Sequence, residues 1–388
     1  MKSFSMRAVV LSLSLLIMSP TAVSPALADM IAAFPAVNPN TVMWVITLPS
    51  IVMVIFSLIY GWLVKFTAKR TLVLIAMACF LIGGVAPAFL DNITLILVMR
   101  GVFGISIGFL MPLSSGLIAD FYEGQERAAM MGWQSAVVNF GALVFMFTGG
   151  LLAAIHWNYT FMTYAAGLIV AIWVIFKLPE PKTTSSVSAE KIKMPIQVYT
   201  QIASVSLYNL LFFALMTNIS IMISGEGLGD ASHAGTALTI FTIGGFIAGM
   251  VFGKTVQIFG SLTNAFGWIS TGTGMLIIAL NTNLYLISAG AFIVGIGLAT
   301  TMPSYLIKVS QTAPVSAIAV AYAYVFGFVG IGQFISPPVF GLVIKLFEQD
   351  LGRFPILASA ILLLAVGVIS AFFMLGSSRQ RSINHNVA

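Results

Sequence analysis

Residues 99–132 read MRGVFGISIGFLMPLSSGLIADFYEGQERAAMMG, an apolar run with one arginine near its start and a charged turn near its end. Arg100 lies a few residues inside the apolar run, where an arginine costs up to about 3 kcal/mol to insert into lipid. Gly104 and Gly108 form a small-xxx-small pair that lets two membrane helices approach closely. The stretch predicts a membrane helix inside a bundle, with Arg100 facing protein or water; the alternative is that its side chain extends to the headgroups.

The composition of the whole chain is that of a membrane protein. Of its 388 residues, 59% are hydrophobic and 7% are charged, whereas soluble domains carry about 25% charged residues. The mean hydropathy is +1.05. We interpret the net charge of +6 as charge that orients helices in a bilayer, and we predict no nucleic-acid partner.

Runs of about 20 apolar residues, the length that crosses a bilayer, occur twelve times. We therefore predict an all-α membrane protein with twelve transmembrane helices. The predicted spans are 7–28, 41–64, 71–90, 94–118, 130–154, 158–178, 199–223, 233–253, 263–281, 284–306, 314–338 and 354–375. The first run is preceded by Lys2 and Arg7 and resembles a cleavable signal sequence, but its length favours a retained span.

A polar segment, LPEPKTTSSVSAEKIK at residues 178–193, divides the spans six and six. Its prolines, charges and Ser/Thr run are typical of a flexible linker. The sequence thus predicts an N-terminal six-helix bundle (1–178), a linker (179–198), a C-terminal six-helix bundle (199–375) and a tail (376–388).

The positive residues lie mainly on one side of this arrangement. That side holds Lys2, Arg7, Lys65, Lys69, Arg70, Arg127, Lys177, Lys182, Lys191, Lys193, Lys254, Lys308, Arg379 and Arg381. The exceptions are Arg100, inside a span, and Lys345 and Arg353, in the last outer loop. The positive-inside rule predicts that the linker, the tail and both termini are cytoplasmic and that the protein lies in the cytoplasmic (inner) membrane.

The two halves of the sequence are related by a shift of 191 residues. The matches are Gly104 with Gly295, Met111-Pro112 with Met302-Pro303, Gly141 with Gly332, and Gly150 with Gly341. Four matches at one offset indicate a duplicated six-helix unit, whose copies are related by an axis along the membrane normal.

The loop between the second and third spans reads GWLVKFTAKR, residues 61–70. It resembles the G-x-L-x-D-x-x-G-[RK]-[RK] loop of the major facilitator superfamily. The four matching residues are Gly61, Leu63, Lys69 and Arg70, whereas Lys65 replaces the acid and Ala68 the second glycine. In the family this loop latches a cytoplasmic gate, so the resemblance implies one here. Its residues would be Gly61, Lys65, Lys69, Arg70, Asp120 and Arg127, the last two from a charged turn whose alternative is a solvated loop.

Other motifs resemble the twelve-helix drug:proton antiporters of that superfamily. Arg100 and Gly104 match the R-x-x-x-G core of the fourth-helix motif, whose arginine is tied to proton handling in these exporters. Residues 332–338, GQFISPP, resemble their eleventh helix. The fifth span departs from the exporter pattern, because no proline lies between Gly141 and Gly150.

Three charged residues are candidates for proton or charge coupling: Asp29, Arg100 and Glu226. Asp29 lies 22 residues beyond Arg7, about 33 Å along a helix, at the outer rim of the membrane. Asp29 and Arg100 would share a depth, so we predict that they pair and that Asp29 exchanges protons. An outer-gate salt bridge and a solvated helix end are the alternatives for Asp29, and Glu226 is a second proton acceptor.

Polar residues within the spans are candidates for lining a substrate cavity. They are Gln134, Asn139, Tyr208, Asn209, Tyr322 and Gln333. Amides in lipid otherwise hydrogen-bond to neighbouring helices, and tyrosines otherwise pack or lie in the interfacial belt.

The sequence contains no H-E-x-x-H motif, no cysteine pair for a metal and no phosphate-binding G-x-x-x-x-G-K-[ST] loop. We therefore predict no enzyme, no metal and no cofactor. The predicted function is secondary transport by alternating access, as proton-coupled efflux of amphipathic compounds by a monomer, with the small-molecule substrate, protons and lipids as its partners. The alternative is uptake of a small nutrient or metabolite, with Arg100 as the direct ligand of an anionic one.

Overall fold

The computed structural model describes residues 4–64, 66–122, 124–179, 194–314 and 318–385. In these ranges the regular structure is helical, and we label the helices α1 to α12. Helix α1 is broken, with segments Phe4–Leu15, a 3₁₀ stretch Ser19–Ala26, and Leu27–Ala33. Helix α6 combines a 3₁₀ stretch Trp157–Ala166 with Gly167–Lys177. The others are α2 (Pro39–Leu63), α3 (Lys69–Val85), α4 (Ile93–Phe121), α5 (Gly124–Ala153), α7 (Ile196–Gly225), α8 (Ala231–Phe259), α9 (Thr263–Leu280), α10 (Leu284–Thr312), α11 (Ile318–Phe347) and α12 (Arg353–His385).

Eleven stretches of the described residues are long and apolar enough to cross a membrane. One of them covers 50 residues, Ala231–Leu280. The helical path turns within it at Gly260, which has a φ of +50° and begins the short turn Gly260–Leu262 between α8 and α9. A left-handed φ is easy for glycine because it has no Cβ.

Several predicted boundaries differ from the structure by more than four residues, among them those of two helices with internal prolines. The first span was predicted at 7–28, but α1 continues to Ala33 after its 3₁₀ stretch. The eleventh was predicted to end at 338, but α11 continues through Pro337 and Pro338 to Phe347. Proline removes one hydrogen bond and bends a helix, yet membrane helices tolerate it because neighbouring helices satisfy the freed groups.

Short polar turns start the helices by capping free backbone N–H groups. The Asn92 side chain accepts from Thr94 N and Leu95 N at the start of α4. Asn283 does the same for Tyr285 N at the start of α10. The two caps are 191 residues apart, the same offset that the glycine matches indicate.

The glycines related by this offset lie at equivalent close contacts. Gly104 packs α4 against Pro49 of α2, and Gly295 packs α10 against Phe241 of α8. Gly141 packs α5 against Leu15 of α1, and Gly332 packs α11 against Ser206 of α7. A Cβ at any of these positions would meet backbone atoms of the facing helix, so the repeat is a repeat of helix packing.

A fifth pair shows the same correspondence atom by atom. Gly83 on α3 faces the backbone of Met99 and Phe103 on α4. Gly274 on α9 faces the backbone of Gly290 and Val294 on α10, and all three residues are 191 positions further along the chain. This pair lies outside the four spans in which the predicted repeat was found.

Candidate functional site

Arg100 is fully buried within the N-terminal half. Its Nε donates to the Val45 carbonyl at 2.7 Å, Nη1 to the Tyr164 hydroxyl at 3.2 Å and Nη2 to the Pro20 carbonyl at 3.1 Å. The guanidinium carbon lies 4.4 Å from the centre of the Phe103 ring, close enough for a cation–π contact. Arg100 therefore joins α1, α2, α4 and α6, and it faces protein rather than lipid.

Irregular backbone supplies the acceptors for this arginine. In a helix the Val45 carbonyl would accept from the N–H of residue 49, but Pro49 has none, so the carbonyl is free for Arg100. The Pro20 carbonyl belongs to the 3₁₀ stretch of α1. Tyr164, in the 3₁₀ stretch of α6, donates in turn to the Ser19 carbonyl at 3.1 Å. The charge is thus held by dipoles of main-chain carbonyls.

The predicted pairing of Asp29 with Arg100 is wrong. The three hydrogen bonds of Arg100 go to two carbonyls and a tyrosine, and no ion pair joins it to Asp29 among the described residues. Asp29 is half-buried in the last segment of α1 and interacts electrostatically with Asp230 and His156. The prediction compared the membrane depths of charged side chains. Such a comparison does not consider main-chain carbonyls, one of which is made available to Arg100 by a proline.

Asp230 lies in the turn before α8, outside the candidate spans. Its Oδ1 accepts from the backbone N–H of Ser232 and of His233 and lies 2.7 Å from His233 Nδ1. Burial alone would raise the pKa of Asp230, but these hydrogen bonds to the charged form hold it below its ordinary value. The acid is therefore a helix cap of α8 that also faces Asp29.

Glu226, the second proton candidate, is engaged by Arg353 at the start of α12. Arg353 Nε donates to Glu226 Oε1 at 2.7 Å and Nη2 to Oε2 at 2.5 Å. Arg353 also donates to the carbonyls of Ala279 and Asn281. This bidentate pair fastens the ends of α7, α9 and α12 together within the C-terminal half.

A polar network crosses between the halves near the middle of the helices. Ser50 Oγ on α2 donates to Gln333 Oε1 on α11 at 2.7 Å. Gln333 Nε2 donates to Asn209 Oδ1 on α7 at 3.5 Å. Ser50 is residue 12 of 25 in its helix, Asn209 is 14 of 30 and Gln333 is 16 of 30. Two of the predicted cavity residues, Asn209 and Gln333, are thus bonded to each other at mid-depth, and Ser50, which was not among the predicted cavity residues, joins them to the other half.

The other predicted cavity residues lie elsewhere. Gln134 on α5 donates to Ser114 Oγ at 2.9 Å and Ser115 Oγ at 3.1 Å on α4 of its own half. Asn139 is half-buried on α5, and Tyr322 is half-buried on α11. Tyr208 is fully buried, with its hydroxyl 2.6 Å from Thr271 Oγ1 on α9. Tyr208 therefore packs inside the C-terminal half, and its assignment to a cavity is corrected.

The halves contact each other at the helix ends remote from the linker, which we call the far end. Ser24 Oγ on α1 donates to the Met216 carbonyl on α7, and Ser220 Oγ on α7 donates to the Pro25 carbonyl on α1. All four groups come from buried residues. These two bonds join the halves in both directions. Serines are common in α1, so residue type alone does not single out the two that take part.

Two further helix pairs join the halves at the far end. A Cβ on Gly150 of α5 would lie 2.7 Å from Gly235 Cα of α8. On α11, Gly341 packs against the Asn40 side chain of α2. Toward the opposite end, which we call the linker end, a Cβ on Gly61 of α2 would meet no atom within 4 Å. Nearer the middle of the helices, a Cβ on Gly327 of α11 would lie 3.4 Å from Val54 Cγ1 of α2.

Gly61, Lys69, Arg70 and Asp120, predicted gate residues that the structure describes, lie at the linker end of the N-terminal half. Lys69 Nζ at the start of α3 lies 2.6 Å from Asp120 Oδ2 near the end of α4, and both side chains are largely buried. Arg70 Nη2 donates to the Ile175 carbonyl of α6 at 2.7 Å. Lys65 and the side chain of Arg127 lie outside the described residues. The structure thus brings Lys69 and Asp120 together and ties Arg70 to α6.

Comparison with known proteins identifies the family model that this chain matches. The Major Facilitator Superfamily model matches residues 9–225 and 203–387. The quinolone resistance protein NorA of Staphylococcus aureus (strain Mu50 / ATCC 700699) is 26% identical over 134 residues, which are 34% of this chain and 34% of NorA. The putative niacin/nicotinamide transporter NiaP of Bacillus subtilis (strain 168) is 24% identical over 166 residues, 40% of each chain. These matches span well under half the length of either relative.

Solved structures share the fold over nearly the whole chain. A peptide transporter POT in complex with sulfate has a TM-score of 0.78 at 12% identity, covering 97% of this chain and 96% of the transporter. A D-xylose-proton symporter has a TM-score of 0.73 at 16% identity, covering 95% and 97%. At these identities the likeness concerns the fold alone.

Proposed function

The chain belongs to the Major Facilitator Superfamily, and from this we propose that it is a secondary active transporter that exports small amphipathic compounds in exchange for protons. It is a multi-pass membrane protein of a family of transporters, not of enzymes. The observation that carries the proposal is the Ser50–Gln333–Asn209 network at mid-depth between the two halves. Transporter folds of this kind bind substrate near the midplane, between their repeats.

The architecture that we propose is the predicted one: bundles at 1–178 and 199–375, a linker at 179–198 and a tail at 376–388, with twelve spans. The turn at Gly260 supports it by dividing the longest candidate span into two helices. The paired glycine contacts support a two-fold relation between the halves. We propose a monomer in the cytoplasmic membrane with cytoplasmic termini.

Alternating access follows from where the halves touch. The Ser24 and Ser220 bonds and the Gly150 contact hold the far end together. Opening to that side needs these contacts to separate, while the linker end closes around the Lys69–Asp120 ion pair. With the predicted orientation, the described conformation is the one closed toward the outside.

Efflux is supported by the partial similarity to NorA, a protein named for quinolone resistance. Proton coupling is assigned to Asp29, which is half-buried where the halves meet and faces Asp230 and His156. A carboxyl whose surroundings change as the halves separate changes its proton affinity with them. Arg100 acts here as a positioning residue, because its donors are bound to main-chain groups.

Uptake of a small solute is the second candidate, and the partial match to NiaP, a putative niacin/nicotinamide transporter, favours it. The version of this idea in which Arg100 binds an anion directly has less support, since Arg100 is fully buried. Direction can be decided by measuring whether an outward or an inward proton gradient drives accumulation of a substrate in proteoliposomes.

The coupling assignment is tested with two matched variants in proteoliposomes. We expect Asp29→Asn to abolish proton-driven flux while leaving solute exchange across equal pH intact. Asp230→Asn, the same change at a neighbouring acid, keeps the helix cap and is expected to stay coupled. If Asp29→Asn couples normally, Asp29 is not the proton site.

A further inference from the structure

Resting on the proposed transport function, we infer that the carboxamide of Gln333 recognises an uncharged solute that carries a hydrogen-bond acceptor, such as an amide or ketone carbonyl. The inference assigns a substrate class and a specificity-determining residue to the centre of the protein. It follows from how the amide is oriented, how many of its hydrogens are used and which charges surround it.

The orientation of the Gln333 amide is set from the C-terminal half. Asn209 Nδ2 donates to the Val205 carbonyl at 3.0 Å and contacts Met302 Sδ at 3.6 Å. These contacts use both hydrogens of the Asn209 amide and turn its Oδ1 toward α11. Gln333 then presents Nε2 to Asn209 and Oε1 to Ser50. The two side chains that hold Gln333 are themselves 2% and 7% exposed.

The Gln333 amide has one more N–H group than the hydrogen bonds that it donates to the described residues. A carboxamide nitrogen carries two N–H groups, and Gln333 Nε2 uses one of them on Asn209, at the long distance of 3.5 Å. The second has no acceptor among the residues that the structure describes. Gln333 is half-buried, and in the proposed binding mode this second N–H is the group that a solute between the halves contacts. A carbonyl oxygen on a ligand would accept from this N–H in place of water.

The surroundings favour an uncharged ligand. Phe334, the residue after Gln333 on α11, stacks with Trp44 of α2 at 5.8 Å, and Met302 contacts Asn209. Arg100 is a charged residue that hydrogen-bonds to this part of α2, and its Nε already donates to the Val45 carbonyl. An ion moved into such an apolar site needs an opposite charge to compensate for lost hydration, whereas a carbonyl needs only the free N–H. Aromatic rings and a flexible thioether suit the apolar body of such a solute.

A matched pair of probes, 1-naphthamide and 1-naphthoate, tests the ligand class on the purified full-length chain at neutral pH. The two have the same ring and nearly the same size, and they differ in charge. We expect 1-naphthamide to raise the melting temperature in a concentration-dependent way and 1-naphthoate to leave it unchanged. Equal stabilisation by both probes, or none by the amide, overturns the inference, and this comparison needs no variant.

Two substitutions test the residue. Gln333→Met keeps the length of the side chain and removes the donor, so we expect 1-naphthamide to bind about tenfold more weakly, or about 1.4 kcal/mol. Gln201→Met is the control, because Gln201 makes a comparable bond to Thr312 at 3.1 Å near the start of α7, away from the other half. Unchanged affinity in Gln333→Met, or an equal loss in the control, overturns the assignment.

Flux measurements separate this inference from the transport function. If proteoliposomes accumulate 1-naphthoate under a gradient and ignore 1-naphthamide, transport stands and the substrate class is wrong. If 1-naphthamide binds through Gln333 but crosses the membrane under no gradient in either direction, the site stands and the transport function is wrong.

Discussion

Arg100 Nε donates to the Val45 carbonyl at 2.7 Å, and this carbonyl is the helical acceptor that Pro49 cannot use. The side chain of one helix thus replaces a backbone donor missing from another. The position 191 residues after Arg100 is Ala291, which is also fully buried on the equivalent helix α10. Helix α10 packs on its neighbours without an arginine at this position. We therefore attribute the presence of Arg100 to the free carbonyl groups that Pro49 and the broken helix α1 provide.

This relationship predicts that Pro49→Ala reduces the loss of stability caused by Arg100→Ala. Arg100→Ala leaves the buried Val45 carbonyl without its donor, at about 1–3 kcal/mol, and removes a donor from the carbonyl of the half-buried Pro20. In a Pro49→Ala background, residue 49 has an N–H that reaches Val45, so Arg100→Ala should cost about 1–2 kcal/mol less there. Unfolding of the four proteins in detergent measures the difference.

The control for this cycle is Pro112→Ala, which changes a proline inside α4 itself and supplies no donor to Val45. Equal cost of Arg100→Ala with and without Pro49 would show that the freed carbonyl is not what holds the arginine. Rescue by Pro112→Ala as well would indicate a general gain in helix stability.

Packing between helices was predictable where it depends on side-chain size. Gly104 and Gly295 are visible as a pair in the sequence, and in the structure each meets the backbone of a facing helix. Glycine is needed there because any Cβ would collide with that backbone, so the glycine itself indicates the close contact. The offset of 191 therefore carried real information about three-dimensional contacts, including the Asn92 and Asn283 caps.

Polar partners were less predictable, because many of them are main-chain groups. The sequence singled out Arg100 but could not name the Val45 carbonyl, which becomes available only through Pro49. Ser24 and Ser220 donate to carbonyls in the same way. Tyr208 was assigned to a cavity because its residue type fits one; its direction depends on the rotation of α7, which residue spacing does not fix.

The repeated glycines predict equal effects in the two halves. A methyl group at Gly83 or Gly274 would collide with backbone atoms of α4 or α10, so Gly83→Ala and Gly274→Ala should each destabilise the protein by about 1–3 kcal/mol. Gly253→Ala is the control, since a Cβ there meets no atom within 4 Å and alanine favours a helix. Unfolding midpoints of the three variants decide the matter; a large loss in one half alone would contradict an equivalent packing.

The two ion pairs at the linker end should differ in strength because they differ in burial. Lys69 and Asp120 side chains are 14% and 7% exposed, whereas those of Arg7 and Glu126 are 40% and 41% exposed. In a double-mutant cycle with Lys69→Met and Asp120→Asn we expect a coupling of about 1–3 kcal/mol. The matched cycle with Arg7→Met and Glu126→Gln should give less than about 1 kcal/mol, as exposed pairs do. Similar couplings in the two cycles would mean that solvent screens both pairs alike.

A wedge at the far end should hold the halves apart. In Gly150→Leu the new side chain meets the backbone of Gly235 on the other half, where even a Cβ would lie 2.7 Å from its Cα. Overpacking of this kind costs about 1–3 kcal/mol, and here the cost falls only on the conformation closed at the far end. The population open to that side should therefore rise by about 5- to 150-fold.

A cysteine reporter measures this shift. Ser220 is fully buried in the far-end contact, and Cys79 is the one native cysteine, so Ser220→Cys with Cys79→Ser gives a single reactive thiol that is exposed when the halves separate. We expect a membrane-impermeant maleimide added from the far side to label it faster in Gly150→Leu. In the control Gly249→Leu the rate should not change, because a Cβ at Gly249 meets no atom within 4 Å. Labelling that is equally slow with and without the wedge would mean that the far end does not open at this contact.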